Sequence, residues 1–438
     1  MFNPVNERSF RLDVAGLLHP LEVLSFTGRE AISEPFVFDV ELRVDDPALD
    51  LASLLYRSAF LNFGSAGNGI HGQLHELVRQ EHGSSPWCCR VRLGPRLGCL
   101  SQRYSQRMFS ASSVPQILSQ VLREHGIADE DRRFELSGEY PLRDFCTQYQ
   151  ESDLQFLQRL CAEAGLYYYF EHRPRGHCLV FGDAQGRFPL AGREMFQAAG
   201  EQPAVRQFGR EEGQGLQSDA YGRTDVMTLR SGQLMQLCGH PIAQWNQLWL
   251  LTRIEHQWSR ELMSPYSNQI HAVDCEQPLV LPRPTVKPRM HSLQRAWVVD
   301  VDEVQPDASR SVAVQFDWLY QGEGATPSHC WLPLAEDLCP SSATQLPEGA
   351  EVVVSFIEGD PDQPVIAGFL QAPAPAEHSL ESEPEQDART VEDLAPWLAS
   401  GEPLILLCLL PGGGSFHHCA QTLCTCRVAI GPGRSDAA

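Results

Sequence analysis

The chain has no apolar run long enough to cross a bilayer. The longest in its tail, Leu404 to Leu410, falls far short of the ~20 residues that a spanning helix needs. The opening residues, MFNPVNERSFRLDV, have no basic start followed by an apolar stretch, so no Sec signal peptide is read there. Lys/Arg-rich runs are missing as well, and the formal net charge is −22. A uniformly negative chain repels phosphate backbones and anionic lipid, so neither nucleic-acid binding nor stable membrane insertion is expected. The expectation is a soluble protein made in the cytoplasm, with any export by a non-Sec route.

The usual catalytic punctuation is also missing. There is no G-x-S-x-G elbow; Gly64-Ser65-Ala66-Gly67 has the wrong spacing. There is no P-loop and no G-x-G-x-x-G after a strand. His75-Glu76-Leu77-Val78-Arg79 nearly spells the zinc-protease helix, but Arg79 stands where the second imidazole belongs, and the segment reads as a strand. Glu358-Gly359-Asp360-Pro361-Asp362 lacks the length and the distal bidentate Glu of a calcium loop, and reads better as a turn. No catalytic residue, no cofactor and no metal ligand is therefore expected. Cysteine is too sparse for a disulfide scaffold, at 14 in 438 residues. Cys161, Cys178 and Cys238 lie in apolar patterns and read as buried thiols. Cys419, Cys424 and Cys426, beside His417 and His418, do not have the usual zinc-knuckle spacing; zinc binding and loosely ordered thiols both stay open.

What is present is mostly strand. FRLDVAG and LEVLSFTGRE alternate apolar and polar residues, and PFVFDVELRV does so at Phe36, Phe38, Val40, Leu42 and Val44. GIHGQLHELVRQEH and PWCCRVRLGP read as further strands. Residues 205–273 read likewise, ending in LWLLTRIEHQWS. Two helices interrupt them. SVPQILSQVLREHG, residues 113–126, has Ser113 as cap, Gln116 completing a capping box, an apolar stripe at Val114, Ile117, Leu118, Val121 and Leu122, and Gly126 as its stop. The second begins at Ser152, with Gln155 three residues on and a stripe of Leu154, Leu157, Leu160, Cys161 and Ala164, and ends at Gly165. LYYYFEH and HCLVFGD follow as a hairpin joined by residues 173–176. At the start of this helix Glu151 and Asp153 are either an acid/base pair or a local cap. Negative charge at a helix N-terminus beside a good cap favours the structural reading.

Four prolines in PLVLPRPTVKPRM, residues 278–290, mark a joint. Residues 293–371 then carry five short strands, as a small closed barrel such as an OB-fold requires. The expected domains are 1–285 (β-barrels with an α/β insertion at about 105–185), 286–372 (the small barrel), 373–395 (an acidic disordered linker) and 396–438 (an apolar, Cys-rich tail). The fold class is mainly β with an α/β insertion.

RDFCTQYQESDLQFLQRLCAEAGLYYYFEH followed by GHCLVFGD closely resembles the signature of VgrG proteins, the spike proteins of type VI secretion systems. PEGAEVVVSFIEGDPDQPVIAGFL resembles the same family's barrel segment, with its E-G-D-P-D-x-P turn. The resemblance covers about residues 5–372. It implies a trimeric hub of tandem β-barrels, like the hub and spike of contractile phage baseplates, sitting on the Hcp tube and driven into a target cell, with secretion by the type VI system. On this resemblance Glu151, Ser152 and Asp153 fix chain geometry within the inserted α/β portion, with a subunit contact as a further expectation for them. The family's long β-helix needle, which a PAAR protein caps, is not seen after Leu370, and there is no room for a phage-type lysozyme domain. The expectation is a short form. It docks a tip, effector or chaperone through residues 396–431, or it is a truncated paralogue, or a phage-like hub. The alternative function is an effector or cargo adaptor acting through the tail, with His417, His418, Cys419, Cys424 and Cys426 as the metal ligands.

Overall fold

The computed structural model describes residues 10–370 apart from 45, 47–48, 65–66, 81–86, 211–218, 261–263, 282–285, 302–311, 319–328, 336–337 and 339–345. It divides into two compact units, 1–287 and 288–438. The expected acidic linker and Cys-rich tail lie outside the described residues. No helix among the described residues is long and apolar enough to cross a membrane. None of the described cysteines forms a disulfide; Cys161 and Cys178 are buried as expected, whereas Cys238 is only half-buried.

The first unit begins with β1 (Arg11–Val14), β2 (Leu21–Ala31), β3 (Glu34–Val44), β4 (Ser58–Asn62), β5 (Gly69–Gln80) and β6 (Trp87–Gly94). Alternation decides which face of each strand goes inside. Phe36, Phe38, Val40, Leu42 and Val44 of β3 are each at most 1% exposed. The six strands are joined in the order β1-β4-β5-β6-β3-β2, and β2 pairs back with β1 through Leu12↔Leu21 and Arg11↔Glu22, which closes a barrel. β4, whose sequence is SAFLN, is a strand the sequence pattern did not single out.

Next come β7 (Tyr104–Ser112), α1 (Val114–Glu124), β8 (Arg132–Glu135), β9 (Arg143–Ser152), α2 (Asp153–Glu163), β10 (Tyr167–Arg173) and β11 (Gly176–Gly182). β7 and β9 form a two-stranded ribbon. β10 and β11 form the expected hairpin, and β8 adds to β11 in parallel, giving a small α/β portion. The helix starts follow their capping chemistry. Gln116 Oε1 accepts from the Ser113 N–H at 2.8 Å. At α2, Ser152 Oγ accepts from the Gln155 N–H at 3.2 Å while Gln155 Oε1 accepts from the Ser152 N–H at 2.9 Å. The whole expected stripe of α1 is buried. That of α2 is corrected: Leu154 and Ala164 are only partly buried, and Phe156 and Arg159 are fully buried instead. Phe156 stacks on Phe109 of β7 at 5.7 Å, which ties the helix to the ribbon.

The unit finishes with β12 (Leu190–Met195), β13 (Val205–Arg210), β14 (Asp219–Thr224), β15 (Gln233–Cys238), β16 (Leu248–Ser259) and β17 (Ser264–Asp274). β16 joins β2, so the sheet runs on from the barrel as β2-β16-β17-β14-β13, with β15 and β12 on the other end of β16. This second curved sheet has its own core around the buried Trp249, whose ring meets Phe208 edge-on at 5.1 Å. Gly28 of β2 faces Phe38 of β3, and a Cβ there would lie 2.1 Å from the Phe38 ring. Only glycine lets that ring lie flat across its neighbour.

The second unit holds β18 (Gln294–Val298), β19 (Val312–Phe316), β20 (Cys330–Leu332), β21 (Glu351–Phe356) and β22 (Pro364–Phe369) in the order β20-β19-β18-β21-β22. A parallel bridge between Leu334 and Ile366 brings the two ends together, as in an OB-type barrel. Ala296, Val314, Phe316, Leu332, Val352, Val354 and Ile366 fill it. Glu358-Gly359-Asp360-Pro361-Asp362 forms the β21–β22 turn. Glu358 and Gly359 have φ of +54° and +74°, and Asp360 Oδ1 accepts from the Asp362 N–H at 2.9 Å.

Candidate functional site

The polar start of α2 is not on the surface. Glu151, Ser152 and Asp153 are 4%, 3% and 0% exposed. A bulge causes this. Arg107 of β7 lies opposite Gln148 and Ser105 lies opposite Glu151, so β9 carries an extra residue, and Gln150 takes φ of +50° to absorb it. The bulge reverses the alternation, and Gln148 and Glu151, three residues apart, both turn inward.

Inside, each carboxylate meets a guanidinium. Arg159 of α2 is 0% exposed, and its NH2 and Nε donate to Glu151 at 2.6 and 3.1 Å. Its remaining donors reach the Thr147 carbonyl at 3.1 Å and Glu163 at 3.0 Å, and Glu163 also accepts from Arg143 at 2.8 Å. Asp153 accepts from His125 Nε2 at 2.6 Å, from Gln148 at 2.7 Å and from Arg103 Nε at 2.9 Å, with Arg107 at 3.4 Å. Glu124 at the end of α1 pairs with both Arg103 and Arg107. Burial pushes the Glu151 carboxyl up, against the pull of Arg159. Burial acts the same way on Asp153, but His125, Gln148, Arg107 and Arg103 outweigh it and hold that carboxyl below its ordinary value. The arrangement holds two strands and two helices together, and both carboxylates are engaged with cations.

Two further polar clusters lie in the same unit. Glu30 of β2 accepts from His256 Nε2 at 2.7 Å; the Tyr266 hydroxyl lies 2.5 Å from His256 Nδ1, and Asn268 donates to that hydroxyl at 3.0 Å. This chain of bonds crosses β2, β16 and β17 in the core. The other cluster joins the barrel to the β10–β11 hairpin. His71 Nδ1 lies 3.0 Å from His177 Nδ1, Ser58 Oγ lies 2.6 Å from His71 Nε2, and the His71 N–H donates to His172 Nδ1 at 3.3 Å. Burial lowers the pKa of His71, His172 and His256, and takes His177 down to about 3. The local β10–β11 hairpin sets His172 opposite His177, whereas His71 reaches them only because β5 packs against that hairpin from about 100 residues earlier in the chain. Among the described residues, no group of three or more His, Cys, Asp or Glu side chains is placed to hold a metal. His75 and Arg79 lie on β5, where positions four apart are ~13 Å from each other, too far for one ion. His417, His418, Cys419, Cys424 and Cys426 lie outside the described residues.

Comparison with known proteins fits this architecture. Residues 29–213 match the family model of the phage tail baseplate hub. The type VI secretion system spike proteins VgrG4b and VgrG5 of Pseudomonas aeruginosa are 33% and 34% identical to the chain, each over 84% of it. The chain is a homologue of the VgrG spike proteins. It spans 57% and 58% of the length of those two VgrG relatives. A solved component of the E. coli type VI secretion system, described as similar to the T4 bacteriophage tail proteins gp27 and gp5, superposes with a TM-score of 0.70 at 25% identity, covering 82% of this chain and 99% of that one. The VgrG complex of Francisella shares the fold alone, with a TM-score of 0.54 at 8% identity over 86% of this chain and 80% of that one.

Two predictions follow from the buried groups. Replacing Arg159 with Met strands Glu151 and should destabilise the first unit by ~3–5 kcal/mol. Adding Glu151→Gln should recover part of that loss, as read from urea unfolding; a double variant no more stable than Arg159→Met would contradict the pairing. The second concerns pH. Below about 6.5 the unfolded chain takes up protons that the buried histidines refuse. Stability is therefore complete above that value and falls as pH drops from 6.5 toward 3. His177→Phe should reduce this slope by up to about 1.4 kcal/mol per pH unit, measured by urea unfolding between pH 7.5 and 4.5.

Proposed function

We propose that the chain is a non-enzymatic, trimeric hub and spike component of a type VI secretion apparatus, that it sits on the Hcp tube, and that it helps to drive effectors through a target membrane. Similarity to VgrG spike proteins along 84% of the chain carries this reading. The construction supports it. A part that transmits thrust needs stiff, continuous connections, and the first unit supplies one sheet running from a closed barrel into a second curved sheet. The Glu151 and Asp153 carboxylates are paired with Arg159 and Arg103 rather than left to bind substrate.

A closed three-fold ring needs a heterologous contact that each subunit satisfies in the same way. A groove of about 840 Å³ on β2, β3, β14, β16 and β17, lined by Arg29, Glu34, Asp39, Arg223 and Glu255, offers both signs of charge for such a contact. On this reading the chain is made in the cytoplasm and leaves by the type VI route, with a tip protein, effector or chaperone as its cargo partners.

Light scattering on the purified chain should give three times the mass of the monomer, with residues 371–438 present or removed. The trimer should co-sediment with assembled Hcp rings. A monomer that ignores the rings would overturn the proposal.

A further inference from the structure

A second cavity, of about 260 Å³, lies between the Gly67–Gly69 turn, β10 and the loop before β15. It is lined by Arg230, Ser231, His172, Asn68 and Glu171. Arg230 is 6% exposed and Ser231 is 4% exposed. The Arg230 guanidinium donates to the carbonyls of Met227, Leu229 and Gly69 at 2.8, 2.6 and 3.4 Å and to Asn68 Oδ1 at 2.9 Å, and it lies over the Phe63 ring at 5.0 Å. All of these acceptors are neutral, and among the described residues no carboxylate pairs with it. In a chain with 56 acidic residues against 34 basic ones, that is an unbalanced buried cation.

His172 adds a donor. Its Nδ1 accepts from the His71 N–H, so in the neutral ring the hydrogen is on Nε2. That Nε2 is buried and has no hydrogen-bond partner. The one carboxylate lining the cavity, Glu171, is engaged by Arg133 at 2.7 and 3.2 Å. The cavity thus combines a guanidinium that has neutral partners and no paired carboxylate among the described residues, an unused N–H donor and a hydroxyl, with its own acid already taken.

We propose that this cavity binds a small oxyanion, a carboxylate or a phosphate, through Arg230, His172 and Ser231. An anion there would balance the Arg230 charge and accept the hydrogen bond that His172 has free. The site does not depend on the secretion role, and it would clamp the loop at 227–233 to the barrel turn at 67–69.

The test is thermal unfolding of the full chain, titrated with sodium phosphate and separately with sodium acetate, at constant ionic strength made up with chloride. A saturable rise in Tm with either anion is expected. Phosphate alone would indicate a free phosphate or phosphorylated ligand, and acetate alone the carboxylate of a protein or metabolite. His172→Phe and Arg230→Gln should each weaken the apparent affinity by about tenfold or more. If Arg230→Gln does not fold, His172→Phe decides. No saturable rise with either anion, or an unchanged midpoint in His172→Phe, would overturn the proposal.

Discussion

The first unit depends on how β2 divides one edge between two neighbours. Its first residues, Leu21 and Glu22, pair with β1 and close the barrel. Further along the same edge, Ser25 to Ala31 pair with β16 and begin the second curved sheet. Neither edge of this part of β2 is left bare, so the barrel gains a neighbour without opening. The core is built around this seam. Phe26 and Phe63 lie 5.3 Å apart and Phe63 and Tyr266 5.8 Å apart, so aromatic packing runs from the barrel onto β17. The Glu30–His256 bond crosses the same seam from β2 to β16. A sheared ladder here would leave a buried charge unpaired, which makes the seam resist sliding as well as separation.

The α/β portion is attached to this frame by polar contacts of specific geometry. Ser33, in the turn between β2 and β3, has φ of +62°. Its N–H donates to the Tyr168 carbonyl at 2.8 Å, and its own carbonyl accepts from Gln158 of α2 at 3.3 Å. The histidines of β5, β10 and β11 fix a second point. Behind these contacts the Arg159 and Asp153 networks hold α1, α2, β7 and β9 in one arrangement. Buried ion pairs of this kind add little net stability compared with apolar packing, but breaking one partner is expensive, so they select a single geometry. For a part proposed to transmit force, a single geometry matters more than extra stability.

Much of this was legible in the sequence because local rules decide it. The alternation of β3, both helix starts, the β10–β11 hairpin and the β21–β22 turn depend on residues within a few positions of one another. The α2 interior was not legible. Glu151 and Asp153 look like surface acids until the bulge at Gln150 reverses the strand's parity, and their partners Arg103, Arg107 and His125 come from other elements. Arg159 was missed for the same reason, although Phe156, Arg159 and Glu163 are spaced three and four apart and share a helix face. The pairing of β2 with β16 joins residues more than 200 positions apart in sequence, and the parallel addition of β8 to β11 is similarly non-local. No periodicity in either strand names its partner.

Joined along β2, the barrel and the second sheet form one cooperative body. Native-state hydrogen exchange tests it most directly, comparing the parent chain with Trp249→Ala, which removes the largest side chain from the second core. Amides of β3 and β6 in the barrel and of β16 and β17 in the second sheet should lose protection by the same free energy, because all open only with the seam. Loss confined to β16 and β17, with β3 and β6 unchanged, would mean that the two sheets open separately and are not one cooperative body.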